Sequence, residues 1–194
     1  MAKLYKWYMI PEISPLDFMK CCEPIYNVLE KRHQSKTSED PFIKAILHKD
    51  WSKREESRLY QKALEMKIGN FHEELIGKFP DWQRYPIGHS SHCDVGKIDG
   101  TIILEVKNRH NTIKGSEGKI LVNMLKSHID NGKRAILVQI NCPNGKVNRY
   151  GAHPSVEVWN GQEIYTFFIW KRYVFKKFPK YYTLKESLRK SGFE

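Results

Sequence analysis

At 194 residues, 40% hydrophobic and 28% charged, the chain is long enough for one well-cored domain and too apolar for disorder. It lacks an apolar run of the roughly 20 residues that cross a bilayer. Its N-terminus, MAKLYKWYMIPEISP, shows no signal-peptide pattern, and Cys21, Cys22, Cys93 and Cys142 follow neither a disulfide framework nor a zinc spacing. A cytoplasmic protein with free thiols is therefore expected, with no membrane role. The 33 Lys+Arg against 22 Asp+Glu leave a net charge of +11, which favours a polyanionic partner, most commonly nucleic acid.

No repeat or linker divides the chain, so residues 1–194 are expected to form a single domain. Residues 16–32 read as a helix that Pro24 would end or kink unless it sits in a first turn. His33 to Asp40 is polar and reads as a loop. Ser52 with Glu55 three residues on forms a capping box for a helix from about Lys53 to Phe79. On that helix Leu64, Ile68, Phe71 and Leu75 repeat at helical spacing and should face the core. Pro80 closes it, and Trp82 to Ile87 reads as a strand.

Asp99-Gly100 is a strong hairpin signal, since Gly tolerates the positive φ of a type I′ turn. A turn there pairs Ile98 with Thr101, Val95 with Leu104, Asp94 with Glu105, Cys93 with Val106 and His92 with Lys107. Alternation then gathers Cys93, Val95, Ile102, Leu104 and Val106 on an apolar face, and His92, Asp94, Glu105 and Lys107 on the other. Opposed Cβ atoms lie roughly 4.5–5.5 Å apart, where like charges destabilise, so the Asp94–Glu105 pair calls for a cation.

Further on, Ser116 to Asn131 reads as a helix with Ile120, Met124, Leu125 and His128 on one side and Gly132 as its stop. Arg134 to Asn141 is a buried-type strand and Pro143-Asn144-Gly145 a turn. Residues 156–159 and 163–170 resemble a second hairpin around Asn160-Gly161. A short amphipathic helix, about Thr183 to Lys190, comes last. The order predicts an α/β domain with a central mixed sheet flanked by helices.

Two carboxylates with a main-chain carbonyl are the oxygen donors that Mg²⁺ prefers, which makes Asp94, Glu105 and the Val106 carbonyl the expected ligands. A Mg²⁺ there would bind a phosphate oxygen and lower the pKa of a water. Lys107 would orient or help deprotonate that water and stabilise the phosphorane. Attack in line on a phosphodiester would leave a 5′-phosphate and a 3′-hydroxyl.

Asp94 followed by Glu105-Val106-Lys107 at the end of an apolar strand resembles the signature of the PD-(D/E)XK nucleases, with Cys93 where that signature's often-absent proline would be. The element order is similar to that family's αβββαβ core, here about residues 53–141. The run from Asn108 to Thr112, with Ser116 beyond, resembles that of some type II restriction endonucleases. The resemblance implies a restriction-endonuclease-like fold and a Mg²⁺-dependent, sequence-specific enzyme that cuts double-stranded DNA. A palindromic site would further imply a homodimer. It also implies an acid on the preceding helix, where GNFHEELIG offers Glu73 and Glu74. With Phe71 and Leu75 facing inward, Glu74 lies about 60° round from Phe71 and Glu73 points to solvent, which favours Glu74.

Asn108, Arg109, Asn111, Thr112, Lys114 and Ser116 follow the lysine and are suited to phosphates or base edges. Ser116 also suits a helix cap. The basic, aromatic segment 170–182 fits a nucleic-acid track or equally a half-buried strand. Asp99 is assigned to the turn. The HSSHC stretch at 89–93 is read as structural rather than zinc-binding, with His92 a secondary contact to phosphate or water. Two alternatives remain: a structure-selective or repair nuclease of the same fold, and a catalytically silent nucleic-acid-binding module.

Overall fold

The Asp99-Gly100 turn organises the sheet. The computed structural model describes residues 10, 12–30, 50–109, 113, 115–150 and 154–170. Gly100 takes the positive φ (74°), and its N–H donates to the Lys97 carbonyl at 2.9 Å. The reversal is thus a Lys97–Gly100 turn with a left-handed glycine, not the two-residue type I′ form. Asp99 Oδ1 accepts from the Thr101 N–H at 2.9 Å and its hydroxyl at 2.6 Å, which accounts for this acid as a turn residue.

From this turn β2 (Val95–Lys97) and β3 (Ile102–Arg109) run antiparallel, Val95 opposite Leu104 and Gly96 opposite Ile103, in the expected register. β1 (Trp82–Arg84) pairs antiparallel with β2. β4 (Arg134–Asn141) lies parallel to β3, and β5 (Glu157–Asn160) parallel to β4. The sheet order is β1-β2-β3-β4-β5. Parallel β3 and β4 need a crossover, which is the helix Gly115–Asp130 (α3). The other helices among the described residues are α1 (Pro15–Glu30), α2 (Asp50–Gly77) and α4 (Gly161–Trp170). This is the expected α/β fold, a mixed central sheet flanked by helices.

Both faces of the sheet are covered, which explains the near-continuous apolar run of β4. On one face Val95, Leu104, Val106, Ile136 and Val138 pack with Leu75, Ile76 and Phe79 of the α2 end and with Ile164 and Phe168 of α4. On the other, Ile103, Ala135, Leu137 and Val158 pack with Leu125 of α3, joined by Leu121, Met124 and Ile129. Ile120, expected on that inner side, is exposed, because the apolar face of α3 is centred on Val122 and Leu125. Cys93 also departs from expectation. It lies in the cluster with Ile103, away from Val95 and Leu104, because the regular alternation is broken between them at Asp94, whose N–H bonds the carbonyl of Leu104, the residue already opposite Val95.

Other departures have local causes. α1 runs through Pro24, starting from Ser14, whose Oγ accepts the Asp17 N–H at 3.1 Å, with Pro15 in the first turn. α2 begins at Asp50, so Ser52 lies inside it and Glu55 instead pairs with Arg58 at 2.6 Å. β1 stops at Arg84, short of Ile87. Residues 33–40 and the expected elements beyond 170 lie outside the described residues.

The second hairpin is replaced by a strand-to-helix junction. Asn160 Oδ1 accepts the Glu163 N–H at 3.0 Å, and Glu163 Oε2 accepts the Asn160 N–H at 2.6 Å. This reciprocal pair is a capping box, and it starts α4 where an Asn-Gly turn was expected. Asn160→Ala should therefore cost about 1 kcal/mol of stability, read from urea denaturation; no shift in midpoint would mean that the cap contributes nothing.

Candidate active site

β3 carries Glu105 and Lys107, two residues apart and hence on one side of the strand. Asp94 stands just before β2. Its N–H donates to the Leu104 carbonyl at 3.1 Å, and its carbonyl accepts the Tyr85 N–H at 2.8 Å. Its side chain then replaces a rung of the ladder, Oδ2 accepting the Val106 N–H at 2.8 Å. Asp94 is thereby fixed at the start of β2, between β1 and β3. Lys107 Nζ lies 3.7 Å from Asp94 Oδ2 and forms a hydrogen-bonded ion pair with Glu105 Oε1. The carboxylates converge on one ammonium, a cation between the opposed acids.

Glu105 is 7% exposed, and its Oε2 is buried with no hydrogen-bond partner. Burial pushes its carboxyl up to about 7; the Lys107 charge opposes this and the Asp94 carboxylate adds to it. For Lys107, burial works against the ammonium, but the Glu105 and Asp94 charges outweigh it and the pKa is raised. Lys107 therefore stays protonated at neutral pH. That favours its service as a charge and a donor over service as a base.

The two acids of α2 are placed the other way round from expectation. Glu73 is the more buried, with 17% of its side chain exposed against 39% for Glu74. Burial first, and then the Asp94 charge, raise the Glu73 pKa, while Arg84 and Lys107 oppose them. Glu73 thus lies within electrostatic reach of Asp94 and Lys107. Glu74 meets Arg84 at 2.5 Å and borders the hollow with Lys20, Cys21 and Lys78. The cause is the rotation of α2. Its inward stripe near this end includes Ile76, with Phe79 buried just beyond the helix, and Glu73 lies about 60° round from Ile76.

Arg84 is the functional candidate that sequence reasoning missed. Trp82 is buried, and Arg84 shares its side of β1, so a charge on an inward position could have signalled a buried acidic partner.

Of the residues expected to meet DNA, Asn108 Oδ1 accepts from Asn141 Nδ2 at 2.6 Å, and Arg109 pairs with Glu65 at 3.0 Å. Ser116 is the second residue of α3, and Asn111, Thr112 and Lys114 lie outside the described residues. In the HSSHC stretch, His89 stacks on Tyr85 with centroids 4.0 Å apart and bonds Ser91 Oγ at 2.7 Å. Cys93 is buried and His92 exposed.

Among the described residues no three His, Cys, Asp or Glu side chains form a ready metal-binding group. A hard cation such as Mg²⁺ is commonly held by one or two carboxylates with water and substrate oxygens completing the shell. The partnerless Glu105 Oε2 and the neighbouring Asp94 meet that requirement.

A mixed five-stranded α/β sheet flanked by helices fits the restriction-endonuclease-like class. The chain belongs to the Eco47II restriction endonuclease family, whose model matches residues 28–173. It is 27% identical over 185 residues to the type II restriction enzyme Sau96I of Staphylococcus aureus, covering 79% of this chain and 70% of that one. It is also 31% identical over 70 residues to the type II restriction enzyme Eco47II of Escherichia coli, covering 36% of this chain and 28% of that one. No solved structure matches the chain. Among the described residues, no helix is long and apolar enough to cross a membrane.

Proposed function

We propose that the chain is a Mg²⁺-dependent type II restriction endonuclease that cuts double-stranded DNA at a specific sequence, leaving 5′-phosphate and 3′-hydroxyl ends. The observation that carries this reading is the convergence of Asp94 and Glu105 on Lys107 beside a buried, partnerless carboxylate oxygen. Family membership and the charge of +11 support the same substrate class.

Asp94 and Glu105, with the Val106 carbonyl, would hold Mg²⁺, and Glu73 or Glu74 would supply a further acid. When bound, the ion lends positive charge to the scissile phosphate and acidifies an attacking water. Lys107 orients that water and stabilises charge on the five-coordinate phosphorus. The water oxygen would bond to phosphorus as the bond to the 3′ oxygen breaks; the water would release one proton to solvent, and the 3′ oxygen would take one proton up from solvent. Asn108, Arg109, Asn111, Thr112, Lys114 and Ser116 would follow the DNA; engagement of the first two would mean leaving Asn141 and Glu65. A palindromic target needs two sites related by a two-fold axis, so the working form is a homodimer, acting in the cytoplasm.

Incubation with supercoiled plasmid should yield discrete fragments in Mg²⁺ and none in EDTA. Absence of cleavage in any divalent ion, or full activity in Glu105→Ala, would overturn the reading.

A further inference from the structure

Arg84 spans the gap between α2 and the strand that carries Asp94. Its Nε and Nη2 donate to Glu73 Oε2 at 3.2 and 2.8 Å, and its Nη1 to Glu74 Oε1 at 2.5 Å. On the sheet side Arg84 stands opposite Val95, the residue after Asp94, and the next peptide, at Tyr85, bonds the Asp94 carbonyl. One guanidinium is therefore bound to both α2 acids and lies one strand from the first acid of the candidate centre.

The close approach is built into the sequence. A Cβ on Gly77 would fall 2.6 Å from the Arg84 backbone nitrogen, so glycine lets the end of α2 close on β1 at this point. The fork is 28% exposed, and the arginine side chain, planar and always charged, suits two carboxylates at once.

The centre, meanwhile, has a carboxylate oxygen with no partner, at Glu105, itself more than nine-tenths buried. A third acid brought fully to bear would give the site an additional negative charge. The fork cancels that charge while Glu73 remains bound to it.

We propose that Arg84 is a positioning residue that holds Glu73 in reserve at the rim of the Asp94–Glu105–Lys107 centre, so that a divalent cation entering the centre competes with Arg84 for Glu73. This rests on the metal-dependent reading above and extends it: Arg84 sets how tightly the cation binds. A strut that merely tied α2 to β1 would act otherwise. Its loss would loosen the site and leave cation affinity unchanged or weaker.

The sign of the effect therefore decides. Ca²⁺ binding to the full chain, without DNA, is measured by calorimetry. Arg84→Gln frees Glu73, so it should bind Ca²⁺ about tenfold more tightly than wild type. Glu73→Gln should bind it about tenfold more weakly, and the double variant should bind no more tightly than wild type. Unchanged or weaker binding in Arg84→Gln, or unchanged binding in Glu73→Gln, would overturn the proposal. The Glu73→Gln arm keeps the test decisive if Arg84→Gln does not fold. A wild-type protein that neither binds Ca²⁺ nor cleaves in Mg²⁺ would instead sink the proposed function and this inference with it.

Discussion

Glu105→Gln is expected to abolish cleavage and, at the same time, to stabilise the metal-free protein at pH 8. The folded-state carboxyl sits at about 7, raised by burial, against an unfolded value near 4.5. Between those values the folded chain keeps a proton that the unfolded chain has released. Stability therefore falls as pH rises through that window, and the cost levels off above pH 7. Glutamine keeps the shape and removes the charge, so that cost disappears, and Lys107 retains Asp94 at 3.7 Å. Urea denaturation in EDTA at pH 5 and pH 8 should show the wild type losing stability across the interval and the variant nearly level. Cleavage should drop by about 10³-fold or more, as when a charge-stabilising group is lost from a catalytic centre. A variant as steep in pH as the wild type would mean that Glu105 is not the buried acid described.

Lys107→Met should act with the opposite sign on stability. It strips the Lys107 ammonium from between Asp94 and Glu105, and removing one partner of a buried pair costs about 3–5 kcal/mol. The loss should be largest at pH 8 and shrink toward pH 5, where Glu105 protonates. Ca²⁺ would then restore what the ammonium supplied, so the melting temperature should rise more with Ca²⁺ in the variant than in the wild type. Equal shifts in both would place the ion elsewhere. In the Glu105→Gln/Lys107→Met double variant most of the loss should vanish, because the two residues share one interaction. Cleavage should remain absent in both variants.

The hairpin register was legible because a turn glycine and a two-residue period are local signals: Val95 opposite Leu104 follows from them alone. Glu105 and Lys107 inherit their common side from the same rule. Asp94 reaches the site by another route. It leaves the ladder and bonds the Val106 N–H with its side chain, a change that places Cys93 in the opposite core. Nothing in residues 92–94 announces this departure, or the positive φ of His92 beside it.

The choice between Glu73 and Glu74 depended on the rotation of α2. That rotation follows from tertiary partners, with Ile76 and Phe79 packed against β3, β4 and α4, and could not be read from the Phe71–Leu75 spacing. Asn160-Gly161 shows two local signals in competition. The turn dipeptide favoured a hairpin, but Glu163 three residues on completes a cap, and the helix prevails.

The most direct test is to map the ends of one long DNA of known sequence after digestion, with wild-type protein and with Glu105→Gln. The wild type in Mg²⁺ should produce 5′-phosphate ends at one recurring sequence, and Glu105→Gln should produce none. Ends scattered without a shared sequence, or the same ends from Glu105→Gln, would contradict a sequence-specific nuclease centred on Asp94, Glu105 and Lys107.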